Sequence, residues 1–221
     1  MFRPVSADLD FVALEETELR RWADHDVFAR SMSLREGAEP WVFYEGPPTA
    51  NGKPGLHHVW ARIYKDLFCR YQTMRGHFVA RRAGWDTHGL PVEVQVEKQL
   101  GISGKQAIVD TVGMAEFTRL CKESVLVYVG EFEKLTERIG YWTDMEHAYY
   151  TFTPEYVESV WWHLSQLFSR GLLYEDLKVV PYCPRCETAL SSHELGQPGV
   201  YTDEVDESCF VSLPITDAAA H

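Results

Sequence analysis

A pattern of strand, loop, helix and strand restricts the possible folds of this chain more than any other feature of its sequence. The apolar run 41–44 is stopped by Gly-Pro-Pro at 46–48, and apolar residues then recur at helical spacing over 56–71. We predict a buried strand, a glycine-rich loop, and a helix of about 18 residues that begins near His57. A second short strand follows within 78–86. Such a βαβ unit has a right-handed crossover and predicts a parallel, doubly wound α/β sheet.

The loops that follow these two predicted strands, 45–58 and 83–93, should carry the ligand site, because ligands of such sheets bind at the carboxyl ends of the strands. Glycines and prolines in 46–58 let the backbone approach a ligand, and the helix start offers unpaired N–H groups to phosphate. His57 and His58 could donate hydrogen bonds to phosphoryl oxygens. An ordinary strand-to-helix turn with two surface histidines is the alternative, since the loop matches neither the P-loop nor GxGxxG.

Charge and cysteine content narrow the range of partners and compartments. A net charge of -12 and a pI near 5.2 argue against indiscriminate binding to DNA, other nucleic acids or anionic membranes. No stretch of about 18 apolar residues occurs, and the N-terminus lacks the pattern of a secretory signal. The chain has five cysteines, an odd number, and it is large enough not to need a framework of disulfides for its stability. We therefore expect a cytoplasmic monomer.

The segment 51–82 is basic within this acidic chain, with seven Lys or Arg residues against one acid, Asp66. One interpretation is a surface that faces an anion, such as tRNA or a triphosphate. The other is an ordinary helix face on which Arg62, Lys65 and Arg70 pair with acids elsewhere in the protein. The sequence favours the second interpretation for Arg62 and Lys65.

Cys183 and Cys186 form a Cys-x-x-Cys turn, which supplies half of a tetrahedral zinc site. A redox pair and two unrelated thiols are the alternatives. The sequence has no second Cys-x-x-Cys, and His193 and Cys209 are the only nearby candidates to complete a zinc site.

The remaining patterns predict mostly helices. We expect an amphipathic helix within 9–32 and further helices at 91–100, 113–138 and 154–170. Short strands are expected at 172–174 and 179–180. The predicted division is into a first domain, 1–180, and a second, 181–221.

Several segments together resemble one family over roughly residues 8–196. These are EGPPTANG followed by HH, then RRAGWDTHGLPVEVQVEK, then KVVPYCPRCETALSSHE. They resemble the N-terminal catalytic region of isoleucyl-tRNA synthetases, which are class I aminoacyl-tRNA synthetases. The resemblance implies the first half of a Rossmann-like nucleotide-binding fold, with an N-terminal helix and a zinc-knuckle-like extension.

The resemblance also implies which residues form the site. The family's His-x-Gly-His signature holds ATP phosphates, and this chain has Gly55-Leu56-His57-His58 in its place. Only His58 matches directly, and His57 could reach the same phosphates from the neighbouring position. Asp86 corresponds to the carboxylate that pairs with the substrate's ammonium group, a role that also suits an acid at a strand's carboxyl edge. A helix N-cap is the alternative for Asp86. The implied ATP-binding residues are Pro48, Thr49, Asn51, Gly52, Gly55, His57 and His58, and the implied amino-acid-binding residues are Gly46, Pro47 and Asp86.

The implied reaction is ATP-dependent activation of isoleucine, with Mg²⁺ accompanying the triphosphate, followed by transfer to tRNA(Ile). The family's Lys-Met-Ser-Lys-Ser signature, editing insertion and anticodon-binding domain are absent from these 221 residues. We therefore expect an N-terminal fragment, which the abrupt alanine-rich end at 218–221 also favours. The alternatives are a truncated, non-catalytic paralogue that binds an aminoacyl adenylate, zinc or a partner protein, and a valine-type ligase. A nucleotidyltransferase would need its own lysine motif within the domain, and the sequence has none.

Overall fold

The computed structural model describes residues 8–184, 186–196, 201, 203 and 205–214. The expectations about the first seven residues and about the alanine-rich end at 218–221 lie outside this described part. The chain divides into two units, Met1–Glu175 and Asp176–His221. The division into 1–180 and 181–221 stays a prediction.

The first unit is an α/β structure in which helices predominate. Its two strands are β1 (Arg82–Trp85) and β2 (Asp144–Tyr150). Its helices are α1 (Phe11–Asp24), α2 (Val27–Ser33), α3 (Leu56–Met74), α4 (Leu90–Leu100), α5 (Lys105–Ala107), a π-helix (Ile108–Val112), α6 (Met114–Arg138) and α7 (Pro154–Ser169). The predicted helices after the loop, at 91–100, at 113–138 and at 154–170 are confirmed.

Local sequence explains several helix ends. The Asp10 carboxylate accepts a hydrogen bond from the Ala13 N–H at the start of α1, and the Thr153 hydroxyl accepts one from the Tyr156 N–H before Pro154. The single helix predicted within 9–32 is instead two helices. Asp26 between them takes a left-handed conformation, with φ 47°, which an α-helix cannot continue through.

The predicted strand at 41–44 is wrong as a regular strand. The extended chain before α3 lies parallel to the chain that leads into and follows β1, but it makes only two isolated bridges, Pro40 with Phe78 and Thr49 with Asp86. Between them Val42 is 64% exposed and Tyr44 88% exposed, so these apolar residues do not mark a buried strand.

The second strand of the predicted unit lies at β1, a few residues later than the apolar run 78–80. β1 pairs in parallel with β2, and a bulge shifts the register between Arg82 and Gly84. Opposite β1, the Tyr149 ring lies against the Gly84 backbone, where any Cβ would overlap it. Gly84 therefore lets β2 approach β1 at this point.

The core of the first unit lies between β1 and the long helix α6. The buried side chains that meet there are Ala50, Trp85, Val92, Val125, Val129 and Phe132. A smaller cluster joins Val96 of α4 to Ile108 of the π-helix and Phe117 of α6. This core brings the loop that contains Ala50 against the carboxyl end of β1.

The second unit contains β3 (Tyr182–Cys183), β4 (Thr188–Ala189) and α8 (Ser192–Leu195). β3 and β4 form an antiparallel hairpin. The strands predicted at 172–174 and 179–180 are wrong, because neither segment pairs with another strand in the described part of the chain. Val179 is fully exposed. Among all described helices, none is long and apolar enough to cross a membrane.

Candidate active site

Two segments meet at the carboxyl end of β1, the 46–52 loop and Asp86. The Ala50 N–H donates to the Asp86 carbonyl at 2.9 Å, and the Asp86 N–H donates to the Pro48 carbonyl at 3.1 Å. Ala50 is fully buried beneath them. The loop and the acid that the sequence assigned to one edge therefore lie side by side.

The Asp86 carboxylate is oriented by the loop itself. The Thr49 hydroxyl donates to Asp86 Oδ2 at 2.7 Å. No other hydrogen bond to this carboxylate occurs among the described residues, so Oδ1 remains available to a cation. Asp86 is not the N-cap of α4, since Gly89 occupies that position.

His58 lies in the first turn of α3 and helps to cap it. Its Nδ1 is 3.0 Å from the N–H of Gly55, the N-cap residue. Because an amide N–H can only donate, Nδ1 is the acceptor, and the neutral ring carries its proton on Nε2. His58 therefore presents an N–H donor from the start of a helix, where the macrodipole also favours anions.

The surroundings of His58 keep its ring neutral. Burial, followed by the charges of His57, Arg62 and Lys65, lowers the pKa of His58 from 6.5 to about 4. The ring stands edge-on to Phe132 of α6, with the centroids 4.9 Å apart. At neutral pH His58 can therefore act as a hydrogen-bond donor without carrying a charge.

His57 is exposed, and its ring lies 3.8 Å from that of His58, centroid to centroid. A Cβ added at Gly55 would come within 2.9 Å of His57 Cε1. The His57 imidazole thus fills the space into which a side chain at position 55 would project. A side chain at position 55 would occupy the same space as the His57 ring, and in this chain the His57 ring occupies it.

The other predicted loop residues line the same stretch of backbone. Pro47, Pro48, Thr49, Asn51 and Gly52 are half-buried, and Gly46 is exposed. A Cβ at Gly46 or Gly52 would meet nothing within 4 Å. No neighbouring atom of the protein therefore excludes a side chain at these two positions. Both glycines border open space.

At least four of the seven basic residues of the segment 51–82 make contacts within the protein. Lys65 pairs with Glu45, and Arg70 with Asp66. Arg62 lies against the Phe132 ring, and Arg81 is fully buried and donates to the Thr73 hydroxyl. These four cations therefore interact with other groups of the protein and do not form an anion-facing surface.

Cys183 and Cys186 are half-buried at the β3–β4 hairpin, and none of the five cysteines, all of them described, forms a disulfide. Within the described residues, no cluster of three or more His, Cys, Asp or Glu side chains could hold a metal ion. Neither His193 nor Cys209 therefore joins these two thiols in such a cluster.

Sequence reasoning missed the side chains that hold the loop from behind. The Glu45 carboxylate accepts from Lys65 Nζ and from the Tyr141 hydroxyl, and the Glu45 carbonyl accepts from the Tyr149 hydroxyl. Burial, together with the nearby Glu45 charge, raises the pKa of Tyr141, so its hydroxyl stays protonated and donates. The one sequence signal was an acid directly before Gly-Pro-Pro.

Comparison with known proteins agrees with this geometry. The family model for class I tRNA synthetases (I, L, M and V) matches residues 17–215. Isoleucine–tRNA ligase of Thermobifida fusca is 54% identical over 215 residues, which are 97% of this chain and 20% of that protein. The Thermus thermophilus isoleucine–tRNA ligase is 52% identical over 98% of this chain and 20% of its own length. The chain thus spans about a fifth of the length of these relatives.

The fold has a counterpart among solved structures. LeuRS of Agrobacterium radiobacter, solved as a ternary complex with tRNA and LeuAMS, superposes on 85% of this chain with a TM-score of 0.61 and 19% identity, over 21% of the LeuRS chain. That likeness concerns the fold alone. The match of the family model over residues 17–215 shows that this chain belongs to the class I tRNA synthetases (I, L, M and V).

Proposed function

We propose that this chain forms the nucleotide- and amino-acid-binding part of an isoleucine–tRNA ligase. The longer protein would activate isoleucine with ATP and transfer it to tRNA(Ile). The observation that carries the proposal is the meeting of Asp86 with the 46–52 loop, which leads into α3, at the carboxyl end of β1. The identity to isoleucine–tRNA ligases favours isoleucine as the amino acid.

On the nucleotide side, we assign the ATP phosphates to the start of α3. The first-turn N–H groups and the neutral Nε2–H of His58 are donors that need little rearrangement when negative charge grows on the phosphates. His57 contributes a second ring from the volume next to Gly55. Pro48, Thr49, Asn51 and Gly52 would line the nucleotide along the open side of the loop.

On the amino-acid side, Asp86 would pair with the ammonium group of isoleucine through Oδ1, while Thr49 holds Oδ2. Gly46 and Pro47 would lie along the amino acid, next to open space. The isoleucine carboxylate would then have to face the α-phosphate. Attack there releases pyrophosphate and needs no covalent enzyme intermediate, so the chain's contribution is positioning and charge stabilisation.

Metal ions enter the proposal in two places. Mg²⁺ would bind the triphosphate oxygens and neutralise part of their charge. Zinc would use the Cys183 and Cys186 thiolates as two of its four ligands, with the other two from outside the described residues. We also propose a monomer in the cytoplasm, where thiols outside disulfides, like those of this chain, are the rule.

Binding of ATP with Mg²⁺ to the 221-residue chain, measured by isothermal titration calorimetry, tests the site. His58→Ala should weaken binding by at least about tenfold, since it removes a donor to charged oxygens. His25→Ala, at the exposed end of α1, is the matched control and should leave binding unchanged. An unmodified chain that fails to bind ATP would contradict the proposal.

Amino-acid choice is tested with a non-hydrolysable isoleucyl-adenylate analogue, compared with its valyl and leucyl counterparts. We expect the isoleucyl compound to bind most tightly and Asp86→Asn to weaken it. Preference for the valyl compound would favour the valine-type ligase. ATP–pyrophosphate exchange with the same three amino acids shows whether the chain catalyses activation alone.

A further inference from the structure

We propose that Glu45 is a positioning residue that holds the 46–50 loop in its ligand-ready shape without contacting the ligand. The inference deepens the proposed function and rests on it. Glu45 immediately precedes the loop, and its side chain is only 6% exposed. The cavity beside it has a volume of about 10 Å³, at the lower limit for a single water. A substrate therefore cannot reach the carboxylate.

Two elements far apart in sequence meet at the Glu45 carboxylate. Lys65 of α3 forms an ion pair with Oε1, and the Tyr141 hydroxyl, just after α6, donates to Oε2 at 2.8 Å. A buried carboxylate is stable only when it is paired and hydrogen-bonded, and both conditions are met here. The side chain thus ties the start of the loop to the end of α6 and to α3, the helix whose N-terminus forms the other side of the site.

The backbone next to this side chain is held as well. The Tyr149 hydroxyl of β2 donates to the Glu45 carbonyl at 2.8 Å, and Lys65 Nζ also lies 3.1 Å from the Gly46 carbonyl. Two adjacent peptide groups therefore have fixed directions before any ligand arrives. The other end of the loop is fixed by Thr49 and Ala50 against Asp86.

These contacts matter for binding because they already restrict the conformations of the loop. A ligand therefore does not have to order the loop when it binds. A loop fixed at both ends is already ordered, and preorganisation of this kind raises affinity without a new contact. Lys65 also neutralises a negative charge close to the proposed phosphate site, where an unpaired carboxylate would repel the nucleotide.

The test uses the 221-residue chain and two readouts: the dissociation constant for ATP with Mg²⁺, and the hydrogen exchange rate of the Ala50 amide by NMR without ligand. Glu45→Ala should weaken ATP binding at least about tenfold, and Glu45→Gln, which keeps an acceptor for Tyr141, about threefold. The Ala50 amide should exchange faster in both variants, because its bond to Asp86 depends on the loop. Tyr149→Phe cuts only the bond to the Glu45 carbonyl and covers the case in which Glu45→Ala fails to fold.

Two matched controls accompany these variants. Glu39→Ala changes an acid six residues earlier whose side chain is 82% exposed, and Tyr44→Phe removes the hydroxyl of a tyrosine that is 88% exposed. Both should match the unmodified chain in ATP affinity and in Ala50 exchange.

The outcomes separate this inference from the proposed function. If the unmodified chain binds ATP and the Glu45 and Tyr149 variants bind it equally well, the positioning role is wrong and the proposed function stands. If Ala50 exchange responds to the variants but no form of the chain binds ATP, the proposed function fails, and the assignment of Glu45 to nucleotide positioning fails with it. A purely structural Glu45 would change only the melting temperature.

Discussion

Helices α3 and α6 pack in the same unit and bury opposite kinds of side chain. The α6 residues that are buried are mostly apolar, Phe117, Val125, Val129 and Phe132 among them. The buried residues of α3 are Arg62, Cys69 and Thr73. Most of the large apolar residues of α3 are exposed, Leu56 at 79% and Trp60 at 62% among them.

Apolar periodicity therefore locates a helix but does not decide which face of it is buried. α3 is held by directed contacts: Arg62 donates to Thr136 of α6, and Arg70 pairs with Asp66 and stacks on Trp142. α6 is held by the burial of apolar side chains. We therefore expect α6 to be sensitive to loss of volume, and α3 to loss of a charge or hydrogen bond.

The largest effect is expected from Phe132→Ala in α6. Phe132 is fully buried and contacts the Trp85, His58 and Arg62 side chains. Truncation should lower the free energy of unfolding by about 3 to 5 kcal/mol, measured by urea denaturation. Leu126→Ala, 52% exposed on the same helix, should change it by less than about 0.5 kcal/mol. Similar losses for both variants would remove the distinction between the two sides of α6.

Asp66→Ala should come next and tests α3 from its buried side. Asp66 pairs with Arg70 and lies 3.6 Å from the guanidinium of Arg81, whose side chain is fully buried. Removing the carboxylate leaves the buried Arg81 cation without its acidic partner. We therefore expect the free energy of unfolding to fall by about 3 kcal/mol. The matched change on the outer face is Leu67→Ser, at a residue 59% exposed, with an expected loss of less than about 0.5 kcal/mol. A larger loss for Leu67→Ser than for Asp66→Ala would reverse the comparison.

The smallest effect concerns His58, where the two helices touch. The lowered pKa means that between pH 6.5 and about 4 the unfolded chain binds a proton at this position that the folded chain does not. Stability should therefore fall as the pH falls through this window. Glu or Gln at the third helical position can also cap a helix, so His58→Gln keeps the cap but does not titrate. The difference in unfolding free energy between the two proteins should change with pH there, and a constant difference would disprove the lowered pKa.

Strong helical patterns were predictable, and strands less so. α4, α6 and α7 have clear periodicity, with Pro154 at the start of α7 and Gly101 in left-handed conformation after α4. The run 41–44 is apolar but pairs only near its ends, and β1 begins at Arg82 directly after a buried arginine. Arg81 donates to the Thr73 hydroxyl and lies 3.6 Å from the Asp66 carboxylate, and no local sequence pattern shows these contacts.

The meeting of the loop with Asp86 was also predictable, because extended segments that run in parallel end at the same edge, although the segment before the loop forms only isolated bridges and no regular strand. The residues that hold Glu45 were not predictable from the sequence. Lys65, Tyr141 and Tyr149 lie 20, 96 and 104 residues further along the chain. Their convergence depends on how α3, α6 and β2 pack, so only the folded structure brings them together.

The contact between Gly84 and Tyr149 also has a genetic consequence. Every missense change of a glycine codon introduces at least a Cβ, and at position 84 that atom would overlap the Tyr149 ring. A smaller side chain at 149 would make room, but it would also release the Glu45 carbonyl. A substitution at residue 84 therefore requires the Tyr149 ring to move, and that movement would weaken the hydrogen bond that holds the Glu45 carbonyl.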